Sequence, residues 1–142
     1  MSSVYHNKSV SKSRAKKRAY AAFSLYMRTL WTIKGFCLCF TCDKHLVLKG
    51  AAGVRVTTGH WVEGHNEATY VNEKYVEPQC AKCNIFLGGN QGEFRDRIRK
   101  KLGNEVVDKL LIDAKKSLDL TPSDYLQKEA YYKEKLKELL TS

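Results

Sequence analysis

Cys39-Phe40-Thr41-Cys42 and, further on, Gln79-Cys80-Ala81-Lys82-Cys83-Asn84 are the two stretches on which the fold turns. Each contains a Cys-x-x-Cys pair, the spacing of two knuckles that share one tetrahedral zinc. Thiolates suit zinc because they are soft and lose their protons on binding. Four unrelated buried thiols would be the alternative. Two equal spacings flanked by polar and charged residues are not a core pattern, and the zinc reading is preferred. A fifth cysteine, Cys37, could face the same site, but spacing favours Cys39 with Cys42. The odd count argues against a closed disulfide framework. A zinc held by four thiolates has no open position, so any chemistry must come from groups that the staple holds in place.

Between the knuckles, short β-prone pieces (Leu46 to Leu48, Val54 to Thr57, Tyr70 to Val71, Tyr75 to Val76) alternate with glycine and charge. This region has too few large apolar residues to fold on burial alone, which again calls for a metal. On either side the helical period takes over. Upstream, Ala15, Ala19, Ala22, Phe23, Tyr26, Leu30 and Ile33 recur at helical spacing, with Ser11 or Ser13 as the start and Gly35 as the stop. Downstream, Phe94, Ile98 and Leu102 share one face of a helix stopped by Gly103, and Asn104 can cap the next. Thr121-Pro122-Ser123-Asp124 opens a last helix through Leu126, Ala130, Leu136 and Leu140. The expected class is α+β: a basic helical arm at 1–36, a zinc-stapled core at 37–92 and C-terminal helices at 93–142.

The chain carries 25 Lys and Arg against 15 Asp and Glu, a formal net charge of +10, which points to a polyanionic partner. Residues 1–34 hold eight basic residues and no acid. Lys12, Arg14, Lys16, Lys17 and Arg18 crowd the start of the first helix, the wrong end for the helix dipole, so local helix stability does not explain them. Arg95, Arg97, Arg99, Lys100 and Lys101 form a second basic group. A solvated charged face is the plain alternative; phosphate contact is favoured because no acid interrupts the first run. No apolar run of membrane-spanning length exists and the N-terminus lacks the apolar stretch of a signal peptide, so a cytoplasmic location is expected.

Two histidines, His60 and His65, lie between the knuckles, and Asn84 directly follows the second. With His60 on a strand and Asn84 in the first turn of a helix projecting back toward it, the layout is that of a one-metal nuclease. A neutral imidazole takes a proton from water, while an amide oxygen helps to hold a hard divalent ion.

These residues resemble the phage NinG (Rap) recombination endonucleases. Ala19-Tyr20-Ala21-Ala22-Phe23 with Tyr26-Met27-Arg28, then Cys39-Phe40-Thr41-Cys42, Gly59-His60-Trp61, Gln79 to Asn84, Leu87 with Gly89-Asn90, and Leu102-Gly103-Asn104-Glu105 are similar to that family in order. More distantly, the zinc layout with a Cys-x-x-Cys-Asn helix start resembles endonuclease VII, of the same HNH (His-Me finger) superfamily. The resemblance implies a ββα-metal core, His60 as general base, Asn84 as a magnesium ligand and the four cysteines as structural zinc ligands. Gly59 stands where many HNH enzymes place an acidic or histidine ligand, which leaves Glu77 and His65 as candidates for the second ligand. Tyr75 stands where the motif commonly has asparagine.

The function expected is therefore metal-dependent hydrolysis of branched DNA, such as Holliday junctions and D-loops, with structural Zn2+ and catalytic Mg2+ or Mn2+. Its products would carry 5′ phosphate and 3′ hydroxyl ends, and a homodimer would suit symmetric cutting. The rival is a non-catalytic zinc-dependent nucleic-acid-binding module, and a scaffold that has lost activity is a third reading.

Overall fold

The computed structural model describes residues 10–64 and 66–142. The first helix, α1, covers Lys12–Trp31, and Ser11 caps it by accepting the Arg14 amide at 3.1 Å. The short strands β1 (Cys37–Leu38), β2 (His45–Val47) and β3 (Val54–Arg55) form one small sheet, in which β1 runs antiparallel and β3 parallel to β2. A second sheet pairs β4 (Thr57–His60) with β5 (Val76–Gln79) antiparallel, in the register Thr57 to Gln79, Thr58 to Pro78, Gly59 to Glu77 and His60 to Val76. Three helices follow: α2 (Gln91–Leu102), α3 (Asn104–Ala114) and α4 (Pro122–Thr141). The class is mixed α+β with small sheets, and among the described residues no helix is long and apolar enough to cross a membrane.

The chain divides into two compact units. One comprises Met27–Ser117, and the other joins the chain up to Tyr26 with Leu118–Ser142. In the larger unit, Trp61, Tyr75, Phe94, Ile98, Val107 and Ala114 form one core cluster, so α2 and α3 share a core with the β4–β5 connection. A second cluster joins Leu46 and Val56 to Cys39, Cys80 and Cys83, with Trp31, Cys37 and Leu48 packed against it. Tyr75 belongs to the first cluster: it is 2% exposed, meets Trp61 at a ring separation of 5.5 Å and donates its hydroxyl to the Leu110 carbonyl at 2.8 Å.

The smaller unit pairs the start of α1 with α4. Ala15, Ala19, Phe23 and Tyr26 are buried along α1, as the helical spacing predicts. Thr121 and Asp124 form the expected capping box, each side chain bonding the other's amide. The buried face of α4 differs from the apolar stripe that the sequence suggests: Tyr125, Glu129 and Tyr132 are buried, while Ala130 and Leu140 are exposed. Tyr132 packs edge-on against Phe23 at 5.0 Å, and the exposed Arg18 pairs with the buried Glu129 at 2.9 Å, so this interface is built from aromatic rings and an ion pair whose carboxylate is buried.

Candidate metal centre and histidine strand

The knuckles converge. The Sγ atoms of Cys39, Cys42, Cys80 and Cys83 all lie within 4.8 Å of one another, and those of Cys42 and Cys80 are 3.8 Å apart. A tetrahedron with metal–sulfur bonds of about 2.3 Å has sulfur–sulfur edges of about 3.8 Å, so the cluster fits zinc. Cys37 lies outside the cluster, which settles the choice between it and Cys39.

Hydrogen-bond donors surround the sulfurs as a thiolate centre requires. The Cys80 amide points at Cys39 Sγ (3.3 Å), the Cys83 amide at Cys80 Sγ (3.4 Å) and the Asn90 side-chain amide at Cys83 Sγ (3.7 Å). Burial opposes ionisation of Cys39, but hydrogen bonds from Thr41 and from the Cys80 amide outweigh it and bring its pKa down to about 6. Burial, reinforced by the neighbouring thiols, pushes Cys42 up to about 12. The chain thus prepares one thiolate, and a cation would have to draw the protons from Cys42 and Cys80, which burial holds high.

The second knuckle leads into a five-residue π-helical turn, Lys82–Phe86, which contains Asn84, and the α-helix α2 begins at Gln91. Asn84 reaches the histidine strand. Its side-chain amide donates to Thr57 Oγ1 (3.0 Å) and to the Thr58 carbonyl (3.2 Å), and Thr57 in turn donates to the Gln79 carbonyl (2.7 Å). The asparagine thus ties the knuckle to β4, the strand that carries His60, and its own carbonyl oxygen is left with a fixed direction.

His60 ends β4, half-buried, with Nε2 3.0 Å from the Tyr70 carbonyl and its ring stacked on Tyr70 at 5.9 Å. A carbonyl only accepts, so Nε2 carries the hydrogen and Nδ1 is the basic nitrogen. The connection that presents Tyr70 is itself pinned. Asn66 accepts the Thr69 amide (3.1 Å), Asn72 accepts the Lys74 amide (3.0 Å), and Trp61 Nε1 donates to the Lys74 carbonyl (3.0 Å).

Gln79 is fully buried beneath the histidine strand. Its amide donates to Thr41 Oγ1 (3.0 Å) and to the Gly89 carbonyl (2.9 Å), joining the first knuckle to the turn before α2. Gln91 donates to the His60 carbonyl at 3.2 Å. Neither glutamine stands out as a functional residue in the sequence. Gln79 adjoins the second knuckle there, but nothing in a glutamine's identity announces burial.

Of the two candidates for a second catalytic-metal ligand, His65 lies outside the described residues. Glu77, opposite Gly59 in the register, is bound by Lys101 at 2.7 Å; burial raises its pKa above the usual carboxylate value, and the Lys101 hydrogen bond works against that rise. Much of the second basic group is likewise paired: Arg97 with Glu93 (2.7 Å) and Asp43 (2.9 Å), Arg99 with Asp108 (3.0 Å), Lys100 with Asp96 (3.1 Å). Arg95 has no ion-pair partner among the described residues. In the first group Lys12 meets Asp119 at 3.3 Å, while Arg14 and Lys17 have no ion-pair partner among the described residues.

Two cysteine knuckles converge in a mixed α+β chain to cluster four thiols that could bind a zinc ion structurally. The model of the family described as Bacteriophage Lambda NinG protein matches residues 6–141, and the chain belongs to that family. Neither a curated protein nor a solved structure matches it.

Proposed function

We propose that this chain is a metal-dependent endonuclease of the HNH kind that hydrolyses phosphodiester bonds in branched DNA, with β4, β5 and the turn at Asn84 as its ββα-metal core. The observation that carries the reading is the 3.0 Å contact between His60 Nε2 and the Tyr70 carbonyl. The Tyr70 carbonyl holds the hydrogen on Nε2, and a strand tied to the zinc knuckle through Asn84 presents Nδ1 as a base. His60 takes a proton from the attacking water. Gln91, through the His60 carbonyl, holds the strand end in register. Unpaired arginines and lysines bind the phosphates.

A divalent ion, Mg2+ or Mn2+, would supply charge stabilisation at the scissile phosphate and at the departing 3′ oxygen. The chain meets its needs only in part. Asn84 offers a directed carbonyl oxygen, Glu77 is committed to Lys101, and the sole cluster of His, Cys, Asp or Glu among the described residues is the cysteine site. That shortage of hard ligands is the observation favouring the rival, a zinc-stapled module that binds nucleic acid without cutting it.

Purified chain incubated with linear, flapped and four-way DNA, with magnesium, with manganese and without either, separates the two. Cutting of branched DNA by the wild type, lost in His60→Ala with zinc content and DNA affinity kept, is expected. General-base catalysis contributes about 10² to 10⁴ in rate, so the loss is visible on a gel. A wild type that binds DNA and cuts none of these substrates would establish the binding module instead.

A further inference from the structure

Ile85, Phe86 and Leu87 stand in a row on the surface of the larger unit, 66%, 80% and 51% exposed. Consecutive large apolar side chains turned to water are unfavourable for folding, and such patches mark binding sites. The loop that carries them is not loose. At its start Asn84 is bonded to Thr57 and Thr58, and at its end Gln91 is bonded to the His60 carbonyl, so both ends are fastened to β4. Within it the Leu87 amide donates to the Lys82 carbonyl (2.9 Å) and the Gly89 amide to the Cys83 carbonyl (2.9 Å), and Gly88 and Gly89 take positive φ values that glycine tolerates.

The charge beside the loop indicates what covers it. A cleft of about 410 Å³ opens on the thiol cluster at Cys42 and Cys83 and is flanked by Asp43, Lys44, Lys82, Leu87 and Asn90. Asp43 is neutralised by Arg97, whereas Lys44 and Lys82 have no ion-pair partner among the described residues. An apolar ridge beside two exposed lysines is complementary to a nucleic-acid strand whose bases are splayed from the stack, with phosphates on Lys44 and Lys82 and a base face on the ridge.

We propose that Phe86, flanked by Ile85 and Leu87, is a wedge that stacks on an unpaired nucleobase at a DNA branch point while Lys44 and Lys82 hold the adjoining phosphates. This contact gives the chain its preference for branched over continuous duplex. The proposal rests on the DNA-substrate reading above and adds a specificity-determining residue to it.

The test measures binding rather than cutting. The full zinc-loaded chain, with no divalent ion added, is titrated into a four-way junction carrying 2-aminopurine beside the branch point and into linear duplex of the same sequence. Phe86→Ala should lose on the order of tenfold in junction affinity, keep its duplex affinity and zinc content, and lose the rise in 2-aminopurine fluorescence that the wild type produces. Phe86→Trp should restore both the junction affinity and the fluorescence rise. A Phe86→Ala protein that binds both DNAs as the wild type does, or that weakens equally on both, overturns the wedge. So does one whose only change is from dimer to monomer, since the loop would then be a self-association surface. If the wild type prefers and unstacks the junction yet never cuts it, the nuclease reading fails and the wedge stands. If it cuts without branch preference, the wedge fails alone.

Discussion

Residue 59 shows how a small side chain can be dictated by a neighbour that the sequence does not point to. A Cβ on Gly59 would fall 2.6 Å from Gln79 Cδ and closer still to Oε1, so the missing side chain is the space Gln79 occupies. That glutamine has a buried Oε1 without a hydrogen-bond partner among the described residues, a cost offset by the amide that links Thr41 to Gly89. Gly59→Ala should therefore destabilise the fold by about 1–3 kcal/mol, the range for overpacking a closed core, read as a lower midpoint in urea. Gly59→Ala combined with Gln79→Ala should recover part of that loss, a coupling that a double-mutant cycle measures. If Gly59→Ala alone is neutral, Gln79 has room to move and does not fix the strand. The four cysteines and His60 are legible in the sequence because their residue types are scarce and their spacing is chemical. Gln79, Gln91 and the carbonyl of Tyr70 are not, because what they do depends on which backbone atoms the fold brings to them.

At the scale of elements, the knuckles and the turn between them are where local pattern and tertiary structure part. The position of Asn84 after the second knuckle suggests a helix start there, and one π-helical turn over Lys82–Phe86 does form, but two glycines at positive φ end it, and the helix that the periodicity of Phe94, Ile98 and Leu102 marks begins separately at Gln91. In the same way the leucines of α4 suggest one face, while the face it buries is Tyr125, Glu129 and Tyr132, because aromatic rings and a paired carboxylate fill the space opposite Phe23. If the knuckles need a metal to act as one element, removing one ligand should undo both. Cys83→Ser should lose zinc and unfold the larger unit at working temperature, whereas Cys37→Ser should keep full zinc content; metal analysis with circular dichroism decides both. Zinc retention should also fall as the solution is acidified, because protons compete for the sulfurs. Cys39, held at about 6 in the metal-free cluster, keeps its charge to lower pH than Cys42, which burial pushes up to about 12, and bound metal shifts the competition at every sulfur to lower pH. Zinc loading that stays unchanged down to strongly acidic pH would remove the cysteines as its ligands.

For the whole molecule the question is which of the basic residues face a polyanion, since a net charge of +10 states an inclination and no address. The structure sorts them. Arg97 reaches Glu93, Asp43 and the Phe40 carbonyl, holding α2 to the first knuckle, so Arg97→Ala should lower the melting temperature and leave the salt dependence of DNA binding nearly unchanged. Arg14 and Lys17 in one unit and Arg95 in the other have no ion-pair partner among the described residues and are exposed. For every phosphate that a variant no longer neutralises, the slope of log affinity against log salt should shrink by about 0.9 on duplex arms, because fewer counterions are released on binding. Arg14→Ala with Lys17→Ala should then flatten the slope by up to about twice that amount, and Arg95→Ala by about once. If both units grip the same DNA molecule, the two effects add in the combined variant. If only one does, the other substitution leaves the slope where it was, and the affinity measured across a salt series distinguishes the cases without reference to cleavage. A slope unchanged by all three substitutions would mean that these charges are merely solvated, and that any phosphates are held by other residues, such as Lys44 and Lys82.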